Sequence, residues 1–298
     1  MSLTVVGSIA LDTVDTPWGR NEEGLGGAAT YFSLAASHYT RVHLVGVVGE
    51  DFPGEHVALL QSKGIDLDGL ERAPGKTFRW TGRYHRDVNH RDTLDTQLNV
   101  FAGFHPKLPE AARNAEFLFL GNIHPALQLE VLDQAKASFV ALDTMNLWIH
   151  TTRDDLGKVL SRVDCLIVND SEVKDLTGEH NVVSGAEAIR ALGPQIAVIK
   201  KGEHGCLLFH DGGIFAAPAF PLRNVMDPTG AGDTFAGGFM GHIAQSGNTD
   251  AQTLRRAVVH GSVVASYACE AFGPGRLAGM TPSDITERFD AFRRLVAF

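Results

Sequence analysis

Residues 224–241 read NVMDPTGAGDTFAGGFMG, and the middle of this stretch combines two kinds of chemical group. Pro228 fixes a loop, and the small and apolar residues after it predict a helix that begins near Gly230. The amides of Gly230, Ala231 and Gly232 then stand at a helix N-terminus without carbonyl partners, which is a ready site for an anion. Asp233 falls in the first turn. Capping explains an aspartate at such a position, and for an arbitrary helix that explanation suffices. Beside an anion hole a carboxylate can do more. It can take the proton of an attacking hydroxyl while the amides neutralise charge on a phosphoryl group in transfer.

Two other glycine clusters imitate nucleotide motifs. GLERAPGKT ends like a phosphate loop, but five residues separate Gly69 from Gly75 where the pattern needs four, and an aromatic alternating segment follows instead of a helix. EEGLGGAATYF satisfies G-x-G-x-x-A through Gly24, Gly26 and Ala29, yet a long polar stretch separates it from the first strand, and Glu22 and Glu23 would flank a pyrophosphate. Gly26 and Gly27 serve equally well for close packing at a helix start or for approach of a small polar substrate to bare backbone.

These residues need a scaffold, and the hydrophobic pattern supplies one. The apolar runs LTVVGSI, RVHLVGVVG, AEFLFLG, SFVALDT, DCLIVND, QIAVIKKG and GCLLFH alternate with helical patterns at 27–38, 53–63, 127–136, 170–177 and 184–192. Consecutive apolar positions predict strands covered on both faces, as in a mainly parallel sheet between two helical layers. The last third reads as helix at 230–245, 250–270 and 282–296. Residues 76–101 break the rhythm: Phe78, Trp80, Gly82 and Tyr84 alternate with Thr77, Arg79, Thr81 and Arg83, and Leu94, Thr96, Leu98 and Val100 alternate with Asp95, Gln97 and Asn99. The pattern predicts a hairpin with a turn around 88–91, a β lid on one α/β domain spanning 1–298, with 12–22 as a further candidate for the lid. A hairpin is marginal alone, so its apolar face should cover the site or pair with a second subunit as a homodimer. Its polar face, Arg79, Arg83, Gln97 and Asn99, is the place to seek acceptor contacts, and Trp80 and Tyr84 are expected to pack.

The 298 residues are 44% apolar with a net charge of −9, enough to bury a sizeable core and without a basic stripe for nucleic acid. Cys165, Cys206 and Cys269 show no metal or redox spacing and read as free thiols in a reducing compartment. No long apolar segment or basic leader is evident, so a cytoplasmic protein without membrane contact is expected. His85, His90 and His105 have no zinc spacing and are assigned to the surface or the rim of the site.

DPTGAGDTFAGGF is similar to the C-terminal motif of the PfkB, or ribokinase-like, family of carbohydrate and nucleoside kinases, and the similarity extends over nearly the whole chain. The resemblance implies a three-layer α/β/α domain with a β lid, and ATP with Mg²⁺ as cosubstrate and metal, K⁺ being a further candidate. It implies Asp233 as catalytic base and Gly230, Ala231 and Gly232 as anion hole. Asp12, after VVGSIALD, matches an aspartate that binds acceptor hydroxyls, with Gly26 and Gly27 at the same substrate. NDSE resembles an N-x-x-E motif, which puts Asn169 and Glu172 near Mg²⁺ and the phosphates. KKGEHG supplies Lys201, Gly202 and Gly205 to the nucleotide, and Ser262 is counted with them. Asp227, with the loop before Gly273, corresponds to a monovalent-cation site. Two positions depart from the pattern: Thr30 stands where many sugar kinases have a substrate-binding Asn, and Lys201 where a Thr or Ser often precedes the glycine.

The expected reaction is therefore ATP-dependent phosphorylation of a hydroxymethyl group on a sugar or sugar-like acceptor. A nucleoside is the nearest rival acceptor, with Phe101, Phe104 and Trp148 as candidates to hold a base. A catalytically silent sugar-binding protein has no use for Asp233, and a dinucleotide-dependent dehydrogenase would rest on Gly24, Gly26 and Ala29 alone.

Overall fold

The computed structural model describes residues 1–297. Its strands are β1 (Ser2–Val6), β2 (Ala10–Thr16), β3 (Gly19–Gly26), β4 (Arg41–Gly49), β5 (Asp66–Ala73), β6 (Phe78–Tyr84), β7 (Arg91–Gln97), β8 (Phe117–Leu120), β9 (Phe139–Asp143), β10 (Cys165–Asn169), β11 (Ile196–Lys200), β12 (Cys206–His210) and β13 (Gly213–Ala217). The large sheet runs β13-β12-β11-β10-β9-β8-β1-β4-β5. From β11 to β5 all pairs are parallel, and β12 and β13 close the edge as an antiparallel hairpin.

Alternation within each apolar run sorts side chains into two layers. Leu3, Val5, Phe117, Phe119, Cys165 and Ile167 join one cluster, which packs under the helices Ala28–Ala36, Ala231–Ser246, Ala251–Ala268 and Pro282–Leu295. Val6, Leu118, Leu120, Leu166 and Val168 join the other, under Pro125–Gln134, Arg153–Leu160, Asp170–Thr177 and Val182–Ala191. This is the three-layer α/β/α arrangement that the sequence predicts. Cys165 and Cys206 are buried free thiols, and Cys269 is partly exposed. Among the described residues no helix is long and apolar enough to cross a membrane.

The helix Ala231–Ser246 is locked between its neighbours by glycines. A Cβ on Gly237 would overlap the Phe32 carbonyl, one on Gly241 would lie 3.1 Å from Ala36 Cα, and one on Gly238 would lie 3.1 Å from Gly261 Cα. Backbone thus meets backbone on both sides, which fixes where this helix begins.

A second sheet, β3-β2-β6-β7, consists of two antiparallel hairpins joined by the parallel pair β2–β6. It rises from the carboxyl ends of β1 and β5, where open α/β sheets bind ligands. Several expectations are corrected here. The first strand ends at Val6 rather than Ile9, because the chain leaves the main sheet to start the lid at Ala10. The second strand of the 76–101 hairpin stops at Gln97: Asn99 adopts φ 49°, its side chain bonds the Thr77 carbonyl at 2.9 Å, and residues Asn99–Gly103 coil into a 3₁₀ turn. Phe101 then packs on Phe78 and Phe104, with ring centroids 5.4 and 5.8 Å apart, and Phe104 is buried, so Phe104 is not free to hold a base as expected. The Gly-Lys-Thr near the lid is structural, since the Thr77 amide and hydroxyl both bond Asp51, at 2.7 and 2.8 Å.

Candidate active site

Helix Ala231–Ser246 opens on Gly230 at φ 73°, a left-handed conformation suited to glycine, and a Cβ there would overlap the Tyr31 ring. The Ala231 amide donates to the Pro228 carbonyl at 3.1 Å. It is therefore not part of a free anion hole, contrary to the expectation from sequence. The amides of Gly230, Gly232 and Asp233 meet no backbone carbonyl, and these form the donor set at the helix start.

Three carboxylates and a lysine gather below that helix end. Asp143, Asn169 and Lys200 are the last residues of β9, β10 and β11, and the parallel register delivers their side chains to one edge of the sheet. Lys200 Nζ lies 3.9 Å from Asp143 Oδ2 and 3.1 Å from where a Gly232 Cβ would stand, so its ammonium rests against the anion hole. Burial would push Lys200 down, but Asp143, then Glu172 and Asp233, outweigh it and hold it above the usual lysine range. Burial raises Asp233 to about 7, with Asp143 adding to the shift and Lys200 opposing it. Glu172 is raised to about 7 by burial and by Asp143, and Asp143 itself is raised by burial against the pull of Lys200. Asp233 remains half-buried.

Asn169 and Glu172 form a capping box on Asp170–Thr177: Asn169 Oδ1 accepts the Glu172 amide at 2.9 Å, and Glu172 Oε2 accepts the Asn169 amide at 2.8 Å. Capping thus orients the glutamate and leaves its other oxygen for the cluster. Next to the helix start lies a cavity of about 580 Å³, with Phe220, Leu222, Val225 and Ala265 among its apolar walls and Asn169, Lys200, Gly202, Gly205, Gly232 and Ser262 at its polar parts. A Cβ on Gly205 would overlap the Ala217 carbonyl. Lys201 does not line this cavity. Lys200, the last residue of β11, lines it instead.

On the lid side, Asp12 is 6% exposed, and burial raises it to about 7, with Asp227 and Asp233 adding to the shift while the Gly27 amide and Arg91 oppose it. Gly26 makes room for its carboxylate, since a Cβ would overlap the Asp12 oxygen, and Gly27 takes φ 93° beneath it. Thr30, expected at the acceptor, is wholly buried with its hydroxyl unpartnered; it lies behind the glycine pair and not on the cleft. Asp227 accepts the amides of Thr229 at 2.9 Å and Gly273 at 3.2 Å, which clasps two loops together.

The polar lid residues are otherwise engaged. Arg79 pairs with Glu23 and Asp51, each at 2.8 Å, Arg83 with Asp15 at 3.1 Å, and Asn99 with Thr77. Tyr84 instead reaches the cleft, its hydroxyl accepting from Thr229 Oγ1 at 3.4 Å. His85, His90 and His105 sit in exposed pairs with Asp92, Asp87 and Glu130. Trp148, the remaining candidate for holding a base, donates to Asn122 Oδ1 at 2.9 Å.

The family described as pfkB family carbohydrate kinase matches residues 3–277. A cytidine kinase of Thermococcus kodakarensis is 33% identical over 246 residues, covering 80% of this chain and 87% of that protein. Among solved structures, the Burkholderia thailandensis nucleoside kinase in complex with inosine superimposes with a TM-score of 0.77 at 20% identity, covering 97% of this chain and 98% of that one. An Escherichia coli protein described as ribokinase II, in complex with ATP and Mg²⁺, gives a TM-score of 0.79 at 18% identity over 99% of both chains. The two structures show the shared fold.

Proposed function

The chain belongs to the pfkB family of carbohydrate kinases, and we propose that it transfers the γ-phosphoryl group of ATP to a hydroxymethyl group of a nucleoside. The observation that carries this reading is the meeting of Lys200 and unpartnered helix amides at the wall of the 580 Å³ cavity, with Asp233 in the first turn of the same helix. The similarity to a cytidine kinase over most of the chain supports a nucleoside as the acceptor, with the ribose hydroxyls at Asp12.

In this mechanism Asp233 takes the proton of the acceptor hydroxyl, a form of help worth about 10²- to 10⁴-fold in rate. The Gly230, Gly232 and Asp233 amides and Lys200 stabilise charge on the transferring group. Asp12, buried against Gly26 and Gly27, holds acceptor hydroxyls. Asn169, Gly202, Gly205 and Ser262 line the nucleotide's cavity. Mg²⁺ suits the hard oxygens of Glu172 and Asp143, two buried carboxylates at the end of β9 and the start of the neighbouring helix. When bound it would neutralise phosphate oxygens. A K⁺ at Asp227 would share a carboxylate that already accepts two amides.

The test is a matrix of ATP and GTP against ribonucleosides and free sugars, read as ADP or GDP release and phosphorylated product. Turnover with cytidine or another nucleoside, above that with any free sugar, is expected. Preference for a free sugar would move the acceptor assignment, and nucleotide hydrolysis or transfer absent with every acceptor would overturn the kinase reading.

A further inference from the structure

Part of the cavity's lining has no role in the mechanism above. Phe220, Leu222, Val225 and Ala265 form an apolar wall, and one buried hydroxyl stands beside it. This is Ser266, on helix Ala251–Ala268, which lines the same cavity and is 5% exposed.

Hydrogen bonds decide what Ser266 can offer a ligand. A serine hydroxyl has one proton and two lone pairs. The Ser266 hydroxyl donates its proton to the Val263 carbonyl at 2.6 Å, and one lone pair accepts from Arg288 Nη1 at 2.9 Å. One lone pair is left, so toward the cavity Ser266 is an acceptor and not a donor. Arg288, from helix Pro282–Leu295, is held from several sides. Its Nη2 donates to Glu270 at 2.7 Å, and its guanidinium lies 3.4 Å from the Tyr267 ring centroid and 5.1 Å from that of Phe220, seats that suit a planar, weakly hydrated cation. One guanidinium therefore meets both Ser266 and Phe220, which places the lone pair at the edge of the apolar wall. Asn89 and Glu203, also on the lining, are bonded to each other at 3.4 Å.

We propose that Ser266, oriented by Arg288, is a specificity-determining residue that selects adenine as the base of the phosphoryl donor. This inference rests on the kinase reading and deepens it. Adenine carries an exocyclic amino group, a hydrogen-bond donor, where guanine carries a carbonyl oxygen, an acceptor. With the ring against Phe220, Leu222 and Val225, the amino group gives a proton to the free lone pair of Ser266. A carbonyl in the same place meets that lone pair with no proton between the two oxygens. To bond it, Ser266 would have to withdraw its proton from Val263, so one hydrogen bond is lost for each one gained. Arg288 does not line the cavity; it is a positioning residue, acting on the base through Ser266 and Phe220.

The experiment is a cycle of two deletions on the full chain. Purine riboside diphosphate, which has hydrogen in place of the amino group of ADP, removes the donor, and Ser266→Ala removes the acceptor. Binding is measured by calorimetry with Mg²⁺ and without a phosphoryl acceptor. The wild type should bind ADP about 3- to 10-fold more tightly than the analogue, the range of one neutral hydrogen bond, and should bind GDP more weakly than ADP. In Ser266→Ala, ADP and the analogue should bind within about twofold of each other, since the amino group has lost its partner. Arg288→Met should narrow the gap between ADP and GDP, and Arg288→Lys, which can still donate to Ser266, should keep more of it. In turnover the same preference between the triphosphates should appear in KM rather than in kcat. No preference for ADP in the wild type, or one of equal size in Ser266→Ala, would overturn the proposal. If the preference holds and no acceptor is phosphorylated, the kinase reading fails and the selection of the base stands.

Discussion

The floor of the site and its lid are built on opposite principles. On the floor, Asp143, Glu172, Lys200 and Asp233 sit at the ends of parallel strands and at helix starts, mostly buried and oriented by caps and register. On the lid, β7 is exposed along its length, and Asp12, Trp80, Tyr84 and Arg91 stand on a four-stranded sheet joined to the domain through β1 and β5. Buried charge belongs to the floor, and the side chains proposed to meet the acceptor belong to the lid. Changes on the floor should therefore act on kcat, and changes on the lid should divide between kcat and acceptor KM.

The largest effect expected is that of Asp233→Asn, which keeps the size of the side chain and removes the base. Steady-state assays should show kcat down by about 10²- to 10⁴-fold, with ATP affinity by calorimetry and the melting curve unchanged. A variant working near the wild-type rate would remove the division between floor and lid at its strongest point. Next comes Lys200→Met. Without its cation the cluster holds three carboxylates, so kcat should fall about 10²-fold, and the base should titrate higher.

A pH profile sharpens the same comparison. As the proposed base Asp233 acts when ionised, and it is held up to about 7, so kcat/KM should fall as pH drops through about 7 and level off above it. In Lys200→Met that limb should move to higher pH, and a limb that stays in place would uncouple the lysine from the base. Trp80→Ala, on the lid, should raise the acceptor KM and lower kcat by about tenfold or less, since Asp12 is its neighbour in register and Arg91 rests on its ring. An effect on ATP KM alone would contradict its place on the acceptor side.

The smallest effect on catalysis is expected at a side chain that does not line the cavity. His260 stacks on His242 with ring centroids 4.2 Å apart and bonds the Tyr39 hydroxyl at 3.1 Å. Burial, helped by His242 and Arg256, lowers it to about 3. An unfolded histidine titrates near 6.5, so below that pH the unfolded chain takes up a proton that the folded chain refuses. Stability should be full above pH 6.5 and fall as pH drops toward 3. Melting temperatures at pH 7 and 5 should differ less in His260→Phe than in the wild type, at similar kcat measured at pH 7.5.

Much of the scaffold was legible because parallel strands covered on both faces are written as unbroken apolar runs, such as AEFLFLG and DCLIVND. β5 and β3 escaped because DLDGLERA and GRNEEGLG lie on edges or in the lid, where solvent allows charge and glycine. In the site, the Gly230 to Asp233 motif pointed to the helix start, but the Ala231 amide was miscounted because the turn from Pro228 uses it. Lys200 and Lys201 were both legible as candidates to neutralise phosphate, and alternation separates them: Lys200 shares parity with Val198 and Ile196, which face the layer holding the site helix. Asp143 had no motif, and its signal was its position at the carboxyl end of a strand. Arg288 needed its contacts with Ser266 and Phe220, which sequence spacing does not reveal.

The glycine seam along Ala231–Ser246 also bears on traffic through the enzyme. Because main chain touches main chain at Phe32, Ala36 and Gly261, the wall behind the phosphates has no side-chain slack with which to breathe. Any movement that opens the cavity is therefore left to other elements than this helix.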